Sequence, residues 1–300
     1  MVAAGPTEEY VPRRQGRLIE LDGREGRIAL TRWGPEHPSP VLLLHGWMDC
    51  GAGWQLLVDQ LPDDWPLVAI DWPGYGRSAR RADRYWFADH LAELDWLVGE
   101  LSPERPVRLI GHSMGGTVAS IYAGVRVARV AWLANLEGFG MPELPHAQFP
   151  GQVDAWLDAL RTAPAPRRYP DLETLAVALR RANPRLPPAH ARYLARAWTR
   201  AVDGGFEILA DPRQQLPTPI RYTRADLEAC WAQLRAPLLL LYGAESEYLQ
   251  RAIGADALER LQALMPSMTA ECIAAAAHLL PHEQPAQVAQ ALQRFAALQA

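Results

Sequence analysis

The sequence predicts an α/β fold: a mostly parallel sheet flanked by helices and interrupted by a helical insertion. Three observations carry that reading. Short continuous apolar runs, suited to strands covered on both faces, recur at residues 41–44, 67–71, 107–110 and 237–242. Segments with apolar residues at helical spacing separate them, and strands alternating with helices imply a mainly parallel sheet. Finally, Gly111-His-Ser113-Met-Gly115 fits G-x-S-x-G and lies between a strand and a helix, the context that gives this motif a mechanism.

In chain order, residues 1–16 are polar, with Pro6 and Pro12, and read as a loose leader rather than a signal peptide. Residues 17–22 and 27–33 alternate in polarity around Gly23-Arg-Glu-Gly26, a hairpin signal. The strand at 41–44 ends in His45-Gly46-Trp47-Met48-Asp49, and the strand at 67–71 ends in Trp72-Pro-Gly-Tyr-Gly-Arg-Ser78. Both glycine-bearing loops fall at the carboxyl edge, where open α/β sheets bind ligands. Helices are expected over 54–61 and 83–101, then from 117 after the G-x-S-x-G turn. A strand over 129–136 ends in Glu137-Gly-Phe-Gly140.

The rhythm changes from 141 to about 222, which is rich in proline and arginine pairs. Helices are expected at 153–160, 172–182 and 189–202, with no convincing buried strand. Trp156, Tyr169, Tyr193 and Trp198 sit at helical spacing and read as packing; Arg167 and Arg168 read as a solvated face. The sheet resumes with a helix over 224–234, a strand over 237–243, a helix over 253–264, a strand over 267–274 and a closing helix over 282–298.

Composition excludes several classes. The chain has 300 residues, enough for one large α/β domain with an insertion, and its net charge of −4 gives no basic footprint for nucleic acid. No apolar run approaches the ~18 residues of a membrane span, so a soluble, cytoplasmic protein is expected. Cys50, Cys230 and Cys272 are too widely spaced for a metal site or disulfide framework and read as small buried hydrophobes, Cys50 lying close to a functional loop. Nothing in the sequence specifies an oligomeric state.

A serine hydroxyl becomes a nucleophile when a base takes its proton and a third group orients that base. Ser113 is the candidate nucleophile. His278, just after the last strand and at the same sheet edge, is the candidate base. His282 is the nearby alternative. His45 and His112 flank the turns, where loop packing accounts for them.

His45-Gly46 after a strand, Asp71-x-Pro-Gly-x-Gly-x-Ser78, Gly-His-Ser113-Met-Gly-Gly, a helical insertion and then His278 closely resemble the α/β-hydrolase fold superfamily. The match runs from about residue 17 to nearly the end, in the family's order. The resemblance implies an eight-stranded, mostly parallel sheet, a core of residues 17–140 and 223–300, and a helical cap of 141–222 over the site. It also implies the chain order nucleophile, acid, histidine.

The acid departs from the family's commonest pattern. Most members carry Asp three residues after the glycine that ends the penultimate strand, where this chain has Ser246, flanked by Glu245 and Glu247. The other known place is the end of the strand after the nucleophile. There, Asn135-Leu-Glu137-Gly-Phe-Gly-Met-Pro142 resembles a stretch of some haloalkane dehalogenases in which the Glu is the acid. Glu137 is therefore the expected acid, with Glu245 and Glu247 as alternatives. A buried Glu needs a partner, and His278 would supply it.

By the same resemblance the N–H groups of Met114 and Trp47 would hold an oxyanion. Trp47, His112 and Phe139 are candidates to line an acyl pocket. Dehalogenases and epoxide hydrolases of this fold attack with Asp, so Ser113 points away from them and toward an acyl-enzyme. The expected activity is hydrolysis of a small-molecule carboxylic ester without metal or cofactor. A thioesterase or carbon–carbon bond hydrolase and a non-catalytic ligand-binding protein are the alternatives.

Overall fold

Residues 17–33 open the sheet as the expected hairpin, β1 (Arg17–Gly23) paired with β2 (Gly26–Trp33). The computed structural model describes residues 9–162 and 164–299. β3 (Val41–Leu44), β4 (Leu67–Ile70), β5 (Val107–His112) and β6 (Val130–Leu136) follow. An insertion then supplies β7 (Arg168–Tyr169), β8 (Thr199–Val202) and β9 (Gly205–Ile208), and β10 (Leu238–Gly243) and β11 (Met268–Ile273) complete the strands. The large sheet has eight strands in the order β1-β2-β4-β3-β5-β6-β10-β11. β1–β2 and β2–β4 are antiparallel and every later pairing is parallel.

The central strands are apolar throughout because both of their faces are covered. In β3, Leu42 and Leu44 enter one core and Val41 and Leu43 the other; β10 divides Leu238 and Leu240 from Leu239 and Leu241 in the same way. Each such fully buried leucine contributes about 1.5–3 kcal/mol relative to an exposed one. Helices α1 (Gln55–Val58), α2 (Phe87–Leu101) and α3 (Met114–Val125) lie within the first half of the core. The insertion carries α4 (Phe149–Leu160), α5 (Leu172–Ala182) and α6 (Pro188–Ala197). α7 (Arg224–Trp231), α8 (Tyr248–Ile253), α9 (Ala257–Leu264), α10 (Leu280–Glu283) and α11 (Pro285–Ala297) follow.

Several expectations are corrected. Of the leader, residues 1–8 lie outside the described residues. From Glu9 onward the chain is pinned rather than loose: the carboxylate of Asp59 accepts from the Tyr10 hydroxyl, from Arg13 N–H at 2.7 Å and from Arg14 N–H at 3.0 Å. The helix expected from 83 starts at Phe87, because Asp89 accepts the Trp86 N–H and caps the helix there. The helix expected over 54–61 is short, a 3-10 turn at Gly51–Trp54 leading into α1. The helix expected over 253–264 starts only at Ala257, because Gly254, whose φ of +125° only glycine adopts readily, ends a separate helix at Ile253. Pro285, which lacks an N–H, starts α11 and separates it from α10.

The insertion does contain strands. β7, β9 and β8 form a three-stranded antiparallel sheet, and the helix expected over 189–202 ends at Ala197 so that Thr199–Val202 can join it. These strands have two to four residues, too few to display a period. Tyr169, Tyr193 and Trp198 pack against the buried cluster of Leu175, Ala176, Leu186, Ala191, Leu194 and Ala195, as expected of packing aromatics. Of the cysteines, Cys50 is buried but Cys272 is exposed, on the outer edge strand β11. No described helix is long and apolar enough to cross a membrane.

Candidate active site

β5 delivers the chain to Ser113, which takes φ 52° and ψ −116° before α3 begins at Met114. A non-glycine residue at positive φ is strained, and it persists because the surroundings fix it. Ser113 N–H donates to Leu136 O at 2.8 Å, tying the turn to the end of β6. Gly115 is required by contact: a Cβ there would lie 2.0 Å from Leu44 O, so only glycine lets α3 press this close to β3. Met114 is the first residue of α3, and its N–H is one of the donors a helix start leaves without an intrahelical acceptor.

The Trp47 loop lies against the same serine, since a Cβ on Gly46 would sit 3.2 Å from Ser113 Cβ. His45 locks this loop. Its Nδ1–H donates to Gly46 O at 2.7 Å and its Nε2 accepts Trp72 N–H at 3.2 Å; burial holds the ring below the usual histidine range, hence neutral. The neighbouring loop is stapled by its own motif residues. The Asp71 carboxylate accepts from Gly51 N–H and Arg77 N–H, and Ser78 Oγ–H donates to Asp71 O.

Ser113, His278 and Glu137 form one hydrogen-bonded chain. Ser113 Oγ is 2.9 Å from His278 Nε2, and His278 Nδ1 is 2.8 Å from Glu137 Oε2. The acceptor-only carboxylate places the imidazole proton on Nδ1 and leaves Nε2 free to accept from the serine. Glu137 is 0% exposed, at a φ of 55°. Its burial is offset by three donors: Gly243 N–H to Oε1 at 2.8 Å, Ser246 Oγ–H to Oε2 at 2.7 Å, and His278. Such an arrangement can draw a proton from a serine hydroxyl and hold the resulting imidazolium.

The family model of the alpha/beta hydrolase fold matches residues 39–285. A serine hydrolase-like protein of Danio rerio is 33% identical over 223 residues, covering 72% of this chain and 68% of that one. The chain belongs to the α/β-hydrolase family. It is a serine-nucleophile member. A pimeloyl-[acyl-carrier protein] methyl ester esterase of Serratia marcescens is 29% identical over 255 residues, 81% of this chain and 88% of that one. Among solved structures, a thioesterase domain from the curacin biosynthetic pathway superposes with a TM-score of 0.80 at 25% identity, covering 93% of this chain and 99% of that one.

Within this hydrolase the other sequence candidates fall elsewhere. Glu245 points to the insertion, where it pairs with Arg185, and Glu247 pairs with Arg251 in solvent, while the carboxylate that meets His278 is that of Glu137. His282, the alternative base, is buried and faces Asp49, its Nε2 3.2 Å from Asp49 Oδ2. Trp47 is 56% exposed, its indole N–H donating to Gln214 O of the insertion at 3.0 Å.

His112 and Phe139, expected to line a pocket, are buried behind the site instead. Burial pushes the His112 imidazole down to about 3, and its Nε2–H donates to the backbone carbonyl of His278 at 2.7 Å. Phe139 packs near Tyr248, and its carbonyl accepts from Arg224 at 2.9 Å. Sequence reasoning missed the Gly243 and Ser246 contacts to Glu137. It also missed Glu283, whose Oε2 accepts Ala277 N–H at 2.6 Å and braces the His278 loop. The signal available was that Ser246 occupies the slot where the family resemblance leads one to expect an acid.

Proposed function

We propose that the protein hydrolyses a carboxylic ester through an acyl-enzyme on Ser113, beneath a cap formed by residues 141–222. The reading rests on the continuous contact Ser113–His278–Glu137 at the carboxyl edge of a parallel sheet. His278 takes the Ser113 proton as Oγ attacks the carbonyl carbon. The Met114 and Trp47 N–H groups hold the oxyanion, and His278 then protonates the leaving alcohol. Water enters, gives its proton to His278 and releases the acid. Glu137 stays ionised throughout and holds the imidazole in its working tautomer. Each oxyanion donor is worth about 10²–10³ in rate, which is why the His45 lock on the Trp47 loop matters.

The acyl class is supported by the Serratia methyl ester esterase and by the thioesterase domain. The latter favours a thioester as second substrate, attacked by the same steps with a thiol leaving. The test is turnover of p-nitrophenyl esters and acyl thioesters of graded chain length by wild type, Ser113→Ala, Glu137→Gln and Glu245→Gln. Wild-type turnover, a loss of about 10³-fold or more in the first two variants and little change in the third are expected. Turnover that survives in Ser113→Ala, or no ester or thioester cleaved by wild type, sinks the reading.

A further inference from the structure

We propose that Ser246 is a positioning residue that acts through Glu137, an inference that rests on the triad reading above. The end of β10 and the turn after it grip both oxygens of the carboxylate of Glu137, the residue that follows β6. Gly243 N–H binds Oε1 and the Ser246 hydroxyl binds Oε2, the oxygen that also meets His278 Nδ1.

The direction of the serine contact follows from its other partner. Tyr248 N–H, at the first residue of α8, donates to Ser246 Oγ at 3.2 Å. An oxygen engaged as acceptor on that side presents its own proton to Glu137. The serine is itself set by the turn, since its N–H donates to Gly243 O at 3.1 Å. Tyr248 completes the enclosure: its ring lies 4.3 Å from the His278 ring between centroids, and its hydroxyl donates to Gly140 O at 2.6 Å. A buried carboxyl without Ser246 would keep one fixed donor on Oε1 and only the imidazole on Oε2. It could then rotate away from the imidazole plane.

The residue type also follows from charge. An aspartate at 246 would face the Glu137 carboxylate across the 2.7 Å that the hydroxyl now spans, and two carboxylates so close cannot both stay ionised. With the acid at residue 137, a neutral donor at position 246 avoids that conflict, and serine is the smallest side chain that supplies one.

The experiment is a double-mutant cycle on ester turnover: Ser246→Ala and Glu137→Ala singly and together, with Ser246→Thr as the variant that keeps a hydroxyl. Thermal unfolding of each variant reports folding. In the intact background Ser246→Ala is expected to lower kcat by about tenfold, the scale of one hydrogen bond to a charged group, with KM unchanged, while Ser246→Thr keeps most of kcat. In the Glu137→Ala background Ser246→Ala is expected to change the residual kcat less than twofold, because the group it positions is gone. A full-activity Ser246→Ala, an effect on KM alone, or an equal loss in both backgrounds overturns the proposal. Should Glu137→Ala by itself retain wild-type kcat, the triad reading fails instead, whatever Ser246 does.

Discussion

The two halves of the insertion are held in different ways. The half built on α5, α6 and the small sheet has its own buried cluster and is tied to the core at many points. Trp198 Nε1–H donates to Asp49 Oδ1 at 2.6 Å, Tyr193 OH to Ala52 O at 3.0 Å and His190 Nδ1–H to His282 O at 2.9 Å. In the other half, α4 buries none of its residues. Its apolar side chains Phe149, Val153, Trp156, Leu157 and Leu160 recur on one helical face, and Phe149, Leu157 and Leu160 are exposed. The contacts of this half with the core include Trp156 against Trp86 and, ahead of the helix, Glu143 accepting Arg224 N–H at 2.8 Å. One half is a wall docked on Asp49, Ala52 and His282; the other is a helix none of whose residues is buried, and such elements open at low free-energy cost.

Substitutions can break or sharpen this contrast. Leu194→Ala, within the α5–α6 cluster at 0% exposure, is expected to cost about 2–5 kcal/mol, read as a loss of denaturant midpoint. Asp49→Ala leaves the Trp198 and Cys50 N–H groups without their acceptor, and about 2–3 kcal/mol should be lost. An unchanged midpoint in both would erase the difference between the halves.

Acid should loosen the wall more gently. Burial holds the His190 imidazole below its usual range. The unfolded chain therefore takes up a proton that the docked helix resists, and the contribution is present above the ordinary histidine pKa and lost as pH falls below it. The protection of amides in residues 188–198, taken relative to the intrinsic exchange rate at each pH, is expected to fall from pH 7 to pH 5, and less so in His190→Gln. Phe149→Ser on α4 ranks last, shifting stability by within about 0.5 kcal/mol. A cost above about 2 kcal/mol would mean that α4 is packed as firmly as α6.

Much of this was legible in the sequence where the signal is local. The turn at Ser113 announces itself by glycines within two residues, and the strands by unbroken apolar runs. His278 is marked as the candidate base by its place after the last strand, and it is the histidine that meets Ser113 Oγ. Glu137 emerged from the sequence around it, yet the choice against Glu245 needed the fold, since Glu245 is turned away by Arg185, 60 positions earlier. The Ser246 contact joins residues 109 positions apart, and the Asp49–Trp198 contact joins residues 149 apart. Such pairings leave no periodic trace. His112 looks like a pocket residue because it precedes the half-buried Ser113, yet its side chain is buried and donates to the His278 carbonyl.

Asn183 and Glu283 have a consequence for inheritance. Asn183 Nδ2–H donates to Glu283 Oε1 at 2.7 Å, while the other oxygen of Glu283 holds the backbone before His278. The insertion therefore owns part of the machinery that aims the histidine. A recombination that exchanged residues 141–222 for a relative's segment would carry away one end of this link and leave the other behind. Chimeras of this family should accordingly succeed when positions 183 and 283 travel from the same parent.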